Sequence, residues 1–420
     1  MIITGDSLQE LKKLPPNSID SVVTDPPYGL SFMGKAWDYD VPTKELWIEV
    51  LRVLKPGGYL LAFAGTRTQH RMAVNIEDAG FEIRDMIAWI YGSGFPKSHN
   101  IGKAVDKQQG NDREVTGERE VPDIRGDAYG TMNDKQGGSY NSLKIQDTKG
   151  NSPYEGWGTA LKPALEPITV ARKPFKGNVA NNVLEWGTGG INIDGSRVGS
   201  EQITQTRTQM KTWREKEGRT DIPESADNSQ THTQGRFPAN LIHDGSDEVV
   251  GLFPDTKSGK PGIKRQGNNG AAYGAESRPA GTQMSGIGDS GSAARFFYCA
   301  KASKSERNKG LEGFEAKIAT QRMNASTERY EEGREPTPRA EQSKSQNTHP
   351  TVKPVRLMQY LVKLVTPVGG TCLDPFNGSG TTGIAAKLEN FEYIGIELDP
   401  EYVKLSEARI DAWERENTLV

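Results

Sequence analysis

Along residues 1–100 the spacing of apolar positions changes back and forth between two periods. "IDSVVT", "YLLAFAG" and "FEIRDMIAWIY" are apolar, β-branched runs of strand length. Between them, "TKELWIEVLRVL" carries Leu46, Trp47, Val50, Leu51 and Leu54 at helical spacing and stops at "KPGG". "TQHRMAVNIEDAG" predicts a second helix, closed by Gly80. Upstream, Ile2 and Ile3 start a short strand, and Asp6 and Ser7 offer an N-cap to "LQELKKL". Strand and helix alternate, which predicts an α/β fold on a mostly parallel sheet with helices on both faces. From about Gly92 the periodicity fades. Residues 104–160, 200–235 and 257–292 are polar and Gly-rich, and 315–347 read as charged linker. "EPITVARKPF" stands out as a strand, returning beside "DMIAWIY". The C-terminal residues recover the α/β order. "KPVRLMQYLVKLVT" is a helix, "GGTCLDPFNGSGTTGIAAKLEN" a strand, turn and helix, and "FEYIGIELDPEYVKLSEARIDAW" a strand with an acidic end followed by a helix.

Composition narrows this picture. The chain has 420 residues, a net charge of −3 and only 34% hydrophobic residues, with 47 glycines. A nucleic-acid partner would therefore be met by a local basic patch rather than a global one. Two cysteines, Cys299 and Cys372, support neither a disulfide framework nor a zinc site. No signal-like N-terminus and no membrane-length apolar run is present, so a cytoplasmic protein without a membrane partner or metal is expected.

Two stretches carry chemistry. In "CLDPFNGSGTTGIAA" a strand ends at Asp374, Gly378 and Gly380 allow close backbone approach, and Thr381 and Thr382 open a helix. The next strand ends in Glu397, placed to bind the hydroxyls of a ribose. No Gly-Lys-Ser/Thr follows, so the turn suits a nucleoside without a phosphate. In "SVVTDPPYGLSFMGKAWD" a buried strand ends at Asp25, at the sheet edge where α/β folds bind ligands. Pro26 and Pro27 stiffen the turn, and their carbonyls have no N–H of their own competing nearby. Asp25 and the Pro26 carbonyl make a rigid pair of acceptors, with Tyr28 as a flat face beside them. Such a corner suits a planar group bearing an NH₂, as in adenine or cytosine. An aspartate before two prolines also caps ordinary turns; the second stretch in the same chain favours chemistry.

"TDPPY", "HPTVKP" and "DPFNGSGTTGIAA", in that order, resemble the beta class of S-adenosylmethionine-dependent DNA amino-methyltransferases. The resemblance implies a permuted, Rossmann-like class I methyltransferase fold. Residues 1–100 would form its catalytic half and 346–420 its cofactor half. Residues 101–162 would be a polar, partly disordered insertion, 163–176 a strand completing the sheet, and 177–345 a target-recognition region. It also implies roles. Asp25, Pro26, Pro27 and Tyr28 would hold the target base. Asp374, Phe376, Gly378 and Gly380 would surround the methionine end of S-adenosylmethionine, with Glu397 on its ribose and Asp6 on its adenine. Thr351 and Lys353 would lie near the cofactor, and Tyr91 either stacks on the flipped base or packs as a strand aromatic. Lys35, in the loop after the corner, would lie near a phosphate or be merely solvated. From their charge, the basic runs holding Lys173 and holding Lys301, Lys304 and Arg307 are candidates for phosphate contacts with double-stranded DNA, or else solvated faces. A homodimer and a cognate restriction endonuclease are compatible partners. Asp25 favours adenine N6 over cytosine N4, whose enzymes more often carry Ser there. A DNA-binding protein retaining the fold without catalysis, and methylation of RNA or protein, are the rival readings.

Overall fold

The computed structural model describes residues 1–30, 38–94, 98–122, 142–206, 230–257, 262–263, 283–284, 290–300, 305–315, 317–318, 344–349 and 351–418. The N-terminal elements are β1 (Ile2–Thr4), α1 (Ser7–Lys13), β2 (Ile19–Thr24), α2 (Lys44–Val53), β3 (Leu54–Phe63), α3 (Gln69–Asp78) and β4 (Glu82–Ile90). The middle contributes α4 (Ile101–Gln109), β5 (Glu114–Pro122), β6 (Ser142–Lys149), β7 (Leu165–Arg172) and α5 (Val179–Trp186). It continues with β8 (Val198–Thr206), β9 (Gln230–Arg236), β10 (Leu241–His243) and β11 (Tyr298–Cys299). The C-terminal elements are α6 (Val355–Val365), β12 (Thr371–Asp374), α7 (Thr381–Leu388), β13 (Glu392–Glu397) and α8 (Pro400–Thr418).

Among the described residues one nine-stranded sheet runs in the order β1-β13-β12-β2-β3-β7-β4-β10-β11. Its neighbours are parallel except that β7 is antiparallel to both β3 and β4. Alternate side chains of each strand feed two cores. Val23, Leu61 and Phe63 pack with α6 and α7, while Val22, Leu60 and Ala62 pack with α1, α2 and α3. Both faces of the sheet are thus covered, which is why these strands read as unbroken apolar runs.

Two expectations shift. Leu54 closes no helix: α2 ends at Val53, and "KPGG" lies inside β3. Gly57, at φ 81°, permits this because a Cβ there would meet the Asn182 amide at 2.4 Å. The polar stretch after Gly92 also holds built structure. Asn100 caps α4, β5 and β6 form a hairpin, and Arg113 pairs with both Asp106 and Glu155.

Candidate active site

β12 and β2 are neighbours in the sheet, but their chains leave in opposite directions, toward β13 and toward β3. That divergence opens a crevice beyond the strand ends. There lies a cavity of about 1430 Å³, lined from both sides by Asp25–Tyr28, Tyr91, Glu166 and Lys353, and by Asp374–Ser379 and Glu397. It exceeds the roughly 300–1,000 Å³ of ordinary ligand pockets, so there is room for two ligands.

On the β2 side, Asp25 is doubly engaged. Its Oδ1 accepts from the Tyr28 hydroxyl at 2.7 Å, and its Oδ2 accepts from Lys353 Nζ at 2.6 Å. Glu166, at the head of β7, stands 3.1 Å from the Tyr28 hydroxyl and 3.3 Å from Lys353 Nζ. Lys353 lies over the Phe63 and Tyr28 rings, its ammonium 4.9 and 5.4 Å from their centroids. Burial alone would depress its pKa, but the attraction of Asp25 and Glu166 outweighs it and the net shift is upward. Burial, then Asp25 and Glu166, hold the Tyr28 phenol protonated by pushing its pKa well up. Asp38 fixes the turn that follows: its carboxylate accepts from the backbone N–H of Tyr28, Gly29 and Leu30 at 2.7, 3.0 and 3.3 Å.

On the β12 side, Asp374 is buried and spends its oxygens inside the protein. Oδ1 accepts from Thr24 Oγ1 at 2.6 Å and from Phe376 N at 3.0 Å, and Oδ2 accepts from Thr382 Oγ1 at 2.6 Å. Burial pushes its pKa up to about 6, against the pull of those donors. Glu397 clasps the turn: Oε2 accepts from Gly378 N at 2.7 Å and Oε1 from Asp399 N at 2.9 Å. Burial raises its pKa as well. His349 lies against the turn, since a Cβ on Gly378 would come within 2.8 Å of its Nε2. Its Nδ1 meets the Thr351 carbonyl at 2.7 Å, and burial lowers its pKa to about 4.

A family model described as DNA methylase matches residues 19–408. The chain belongs to this family. Type II methyltransferase M2.MboI of Moraxella bovis is 47% identical over 66 residues, 16% of this chain and 24% of that protein. Type II methyltransferase M.HindIII of Haemophilus influenzae is 25% identical over 235 residues, 46% of this chain and 64% of its own length. The chain spans about a quarter or less of the length of the first three curated relatives it matches. Among solved structures, the M1.HpyAVI–SAM complex is similar at TM-score 0.39 and 14% identity, covering 98% of both chains. PvuII DNA methyltransferase, described as cytosine-N4-specific, is similar at TM-score 0.40 and 15% identity, over 99% of this chain and 91% of that one.

In this member of the DNA methylase family, the expected residues fall into three groups. Asp25, Pro26, Pro27, Tyr28, Asp6, Thr351, Phe376, Gly378 and Glu397 all line the cavity, as does Tyr91, whose ring also leans on Trp89 at 5.0 Å. Asp6 additionally caps α1 by accepting from Gln9 N at 3.1 Å. A second group makes contacts that the expectation did not name. Lys353 lines the cavity and joins the Asp25 corner, where two carboxylates attract it. Asp374 shapes the turn from within, accepting from Thr24, Phe376 N and Thr382. Gly380, at φ 75°, serves the packing of α7 on α8, since a Cβ would meet Ser406 at 2.8 Å.

The third group concerns phosphate contacts. Lys173 turns inward, donating to Asn17 Oδ1 at 2.8 Å and to the Leu54 carbonyl at 2.7 Å, and burial lowers its pKa. Arg307 donates to the His349 carbonyl at 3.0 Å and is half-buried behind that loop. Both are anchors of the fold rather than a phosphate-facing surface. Lys35, Lys301 and Lys304 lie outside the described residues. Glu166 and Asp38 were missed. For Glu166 the signal was a lone acid at the head of an otherwise apolar strand. For Asp38, an acid several residues past a glycine turn gave nothing distinctive.

Proposed function

We propose that the chain transfers a methyl group from S-adenosylmethionine to the exocyclic N6 of adenine in double-stranded DNA, at a specific site and on a base flipped out of the helix. One observation supports this most: the Asp-Pro-Pro-Tyr corner and the Gly-rich turn with its acid open into the same two-ligand cavity. The turn fits S-adenosylmethionine. Glu397 has lone pairs beyond the two it gives to backbone N–H groups, Phe376 offers an apolar wall, and Gly378 brings bare backbone to the surface. When bound, that cofactor supplies an electrophilic methyl on a sulfonium.

The remaining work belongs to the chain. A base inside a duplex cannot reach the cavity, so it must leave the stack. The Tyr28 ring offers a stacking face, and Asp25 with the Pro26 carbonyl accepts the two protons of the amine. Those bonds orient the nitrogen lone pair and stabilise positive charge as it grows there. Asp38 pins the turn on three backbone donors, so the corner is set before the base arrives. Mass spectrometry of DNA nucleosides after incubation with S-adenosylmethionine tests the reading. N6-methyladenine is expected; N4-methylcytosine would reassign the base, and unmodified DNA would leave a binding protein that keeps the fold.

A further inference from the structure

The corner holds more charge than a two-acceptor pocket requires. Asp25, Lys353 and Glu166 come from a strand end, a loop and an antiparallel strand remote from each other in sequence. Yet Lys353 Nζ sits 2.6 Å from Asp25 Oδ2 and 3.3 Å from Glu166 Oε2. Lys353 is only 9% exposed. The neighbouring Tyr28 and Tyr91 phenols are held neutral, so they add no charge.

An ammonium in that place opposes the proposed chemistry. As the amine attacks, the N–C bond forms, the C–S bond breaks and its electron pair leaves with sulfur. Positive charge moves onto nitrogen, and the extra proton is then shed to water. That cation is attracted by Asp25 but repelled by Lys353, and the two together are neutral. A second carboxylate is needed for the corner to remain negative toward the amine.

We propose that Glu166 is the charge-setting residue of the corner: it offsets Lys353, while Lys353 acts as the positioning cross-link that holds Asp25 and Glu166 together. This rests on the methyl-transfer reading above. Glu166 approaches the reacting nitrogen through Lys353 and Tyr28, so its effect is electrostatic and not a matter of shape.

The test is a charge rescue. Glu166→Gln keeps size and hydrogen bonding but makes the corner neutral. Glu166→Gln combined with Lys353→Met leaves Asp25 alone and restores the wild-type net charge. In single-turnover methyl transfer to DNA, Glu166→Gln should be slower by roughly tenfold to a hundredfold, the effect of one missing charge at a partly buried site. The double variant should be faster than Glu166→Gln. A merely structural role predicts the opposite order. A second readout needs no chemistry: the ratio of affinities for cationic S-adenosylmethionine and neutral S-adenosylhomocysteine, by calorimetry. It should fall in Glu166→Gln and recover in the double variant. If Lys353→Met does not fold, Lys353→Gln carries the same net charge with polar atoms retained. A Glu166→Gln protein at the wild-type rate and ratio, or a double variant slower than the single one, overturns the proposal. A wild-type protein that methylates no DNA counts against the proposed function instead, and the affinity ratio then decides the charge balance alone.

Discussion

On the proposed reading Glu397 binds the cofactor's ribose, and Glu397→Gln tests that contact. Both carboxylate oxygens already accept one backbone N–H each, from Gly378 at 2.7 Å and Asp399 at 2.9 Å. Their remaining lone pairs are what a ribose diol can use. A glutamine keeps the shape but replaces one oxygen with an NH₂ that must face an N–H. It also removes the charge from the surviving acceptor. A hydrogen bond to a charged group is worth about 1.5–3 kcal/mol. Losing one such bond and weakening the other should cost about 2–4 kcal/mol, or roughly thirtyfold to a thousandfold in Kd. Isothermal calorimetry with S-adenosylmethionine and, separately, with S-adenosylhomocysteine measures it. The ribose is common to both, so both affinities should fall. A Kd within twofold of wild type, or a loss confined to the sulfonium compound, would refute the assignment. Denaturant melts of the same protein report the separate cost of the disturbed turn.

Other expectations follow from the same geometry. Asp25→Ala should lower single-turnover methyl transfer by roughly a hundredfold or more while leaving cofactor affinity nearly intact, because a preorganised charged acceptor acts mainly in the transition state; transfer at the wild-type rate would reduce the corner to a turn. The His349 imidazole should titrate by NMR with a midpoint of about 4 rather than the ordinary 6.5. With the folded pKa depressed, its contribution to stability is present above the ordinary value and lost as pH falls through about 4, and a midpoint near 6.5 would show the ring is not buried against the turn. Gly380→Ala forces an L side chain to φ 75° with its Cβ 2.8 Å from Ser406. It should destabilise the protein by at least about 1–2 kcal/mol in chemical denaturation, and an unchanged midpoint would contradict the close packing of α7 on α8.

Much of the fold was legible because both ends of the chain use strong periodic signals. The runs around Val22, Leu60 and Ile394 are strands buried on two faces, and the helices between them carry one clear apolar stripe. Residues such as Asp25 and Glu397 could be placed because each ends such a strand, where the α/β topology leaves a crevice. Lys353 and Glu166 could not. Their partners are fixed by β7 threading antiparallel between β3 and β4, and no local pattern encodes that pairing. A lysine beside a cofactor motif reads as lying near the cofactor, and its two carboxylate partners, from distant parts of the chain, leave no local trace. Lys173 misled for a similar reason: a basic run reads as surface, yet three acceptors, Asn17, Arg52 and Leu54, draw its ammonium inward.

The two chemical stretches are coupled more directly than shared cavity walls require. Thr24 is the last residue of β2, just before Asp25, and its hydroxyl donates to Asp374 at the end of β12. Asp374 in turn accepts from Phe376 N and from Thr382 at the start of α7. One buried carboxylate thus fixes the spacing between the Asp25 corner and the Gly378 turn. Ionised Asp374 is costly in that setting, which is why burial lifts its pKa to about 6. The cost is compensated by donors that converge from both halves of the chain. In-line methyl transfer depends on placement at the scale of an ångström. A hydrogen-bonded buried acid between adjacent strands is stiffer than the loops around it, and so is well suited to set that distance.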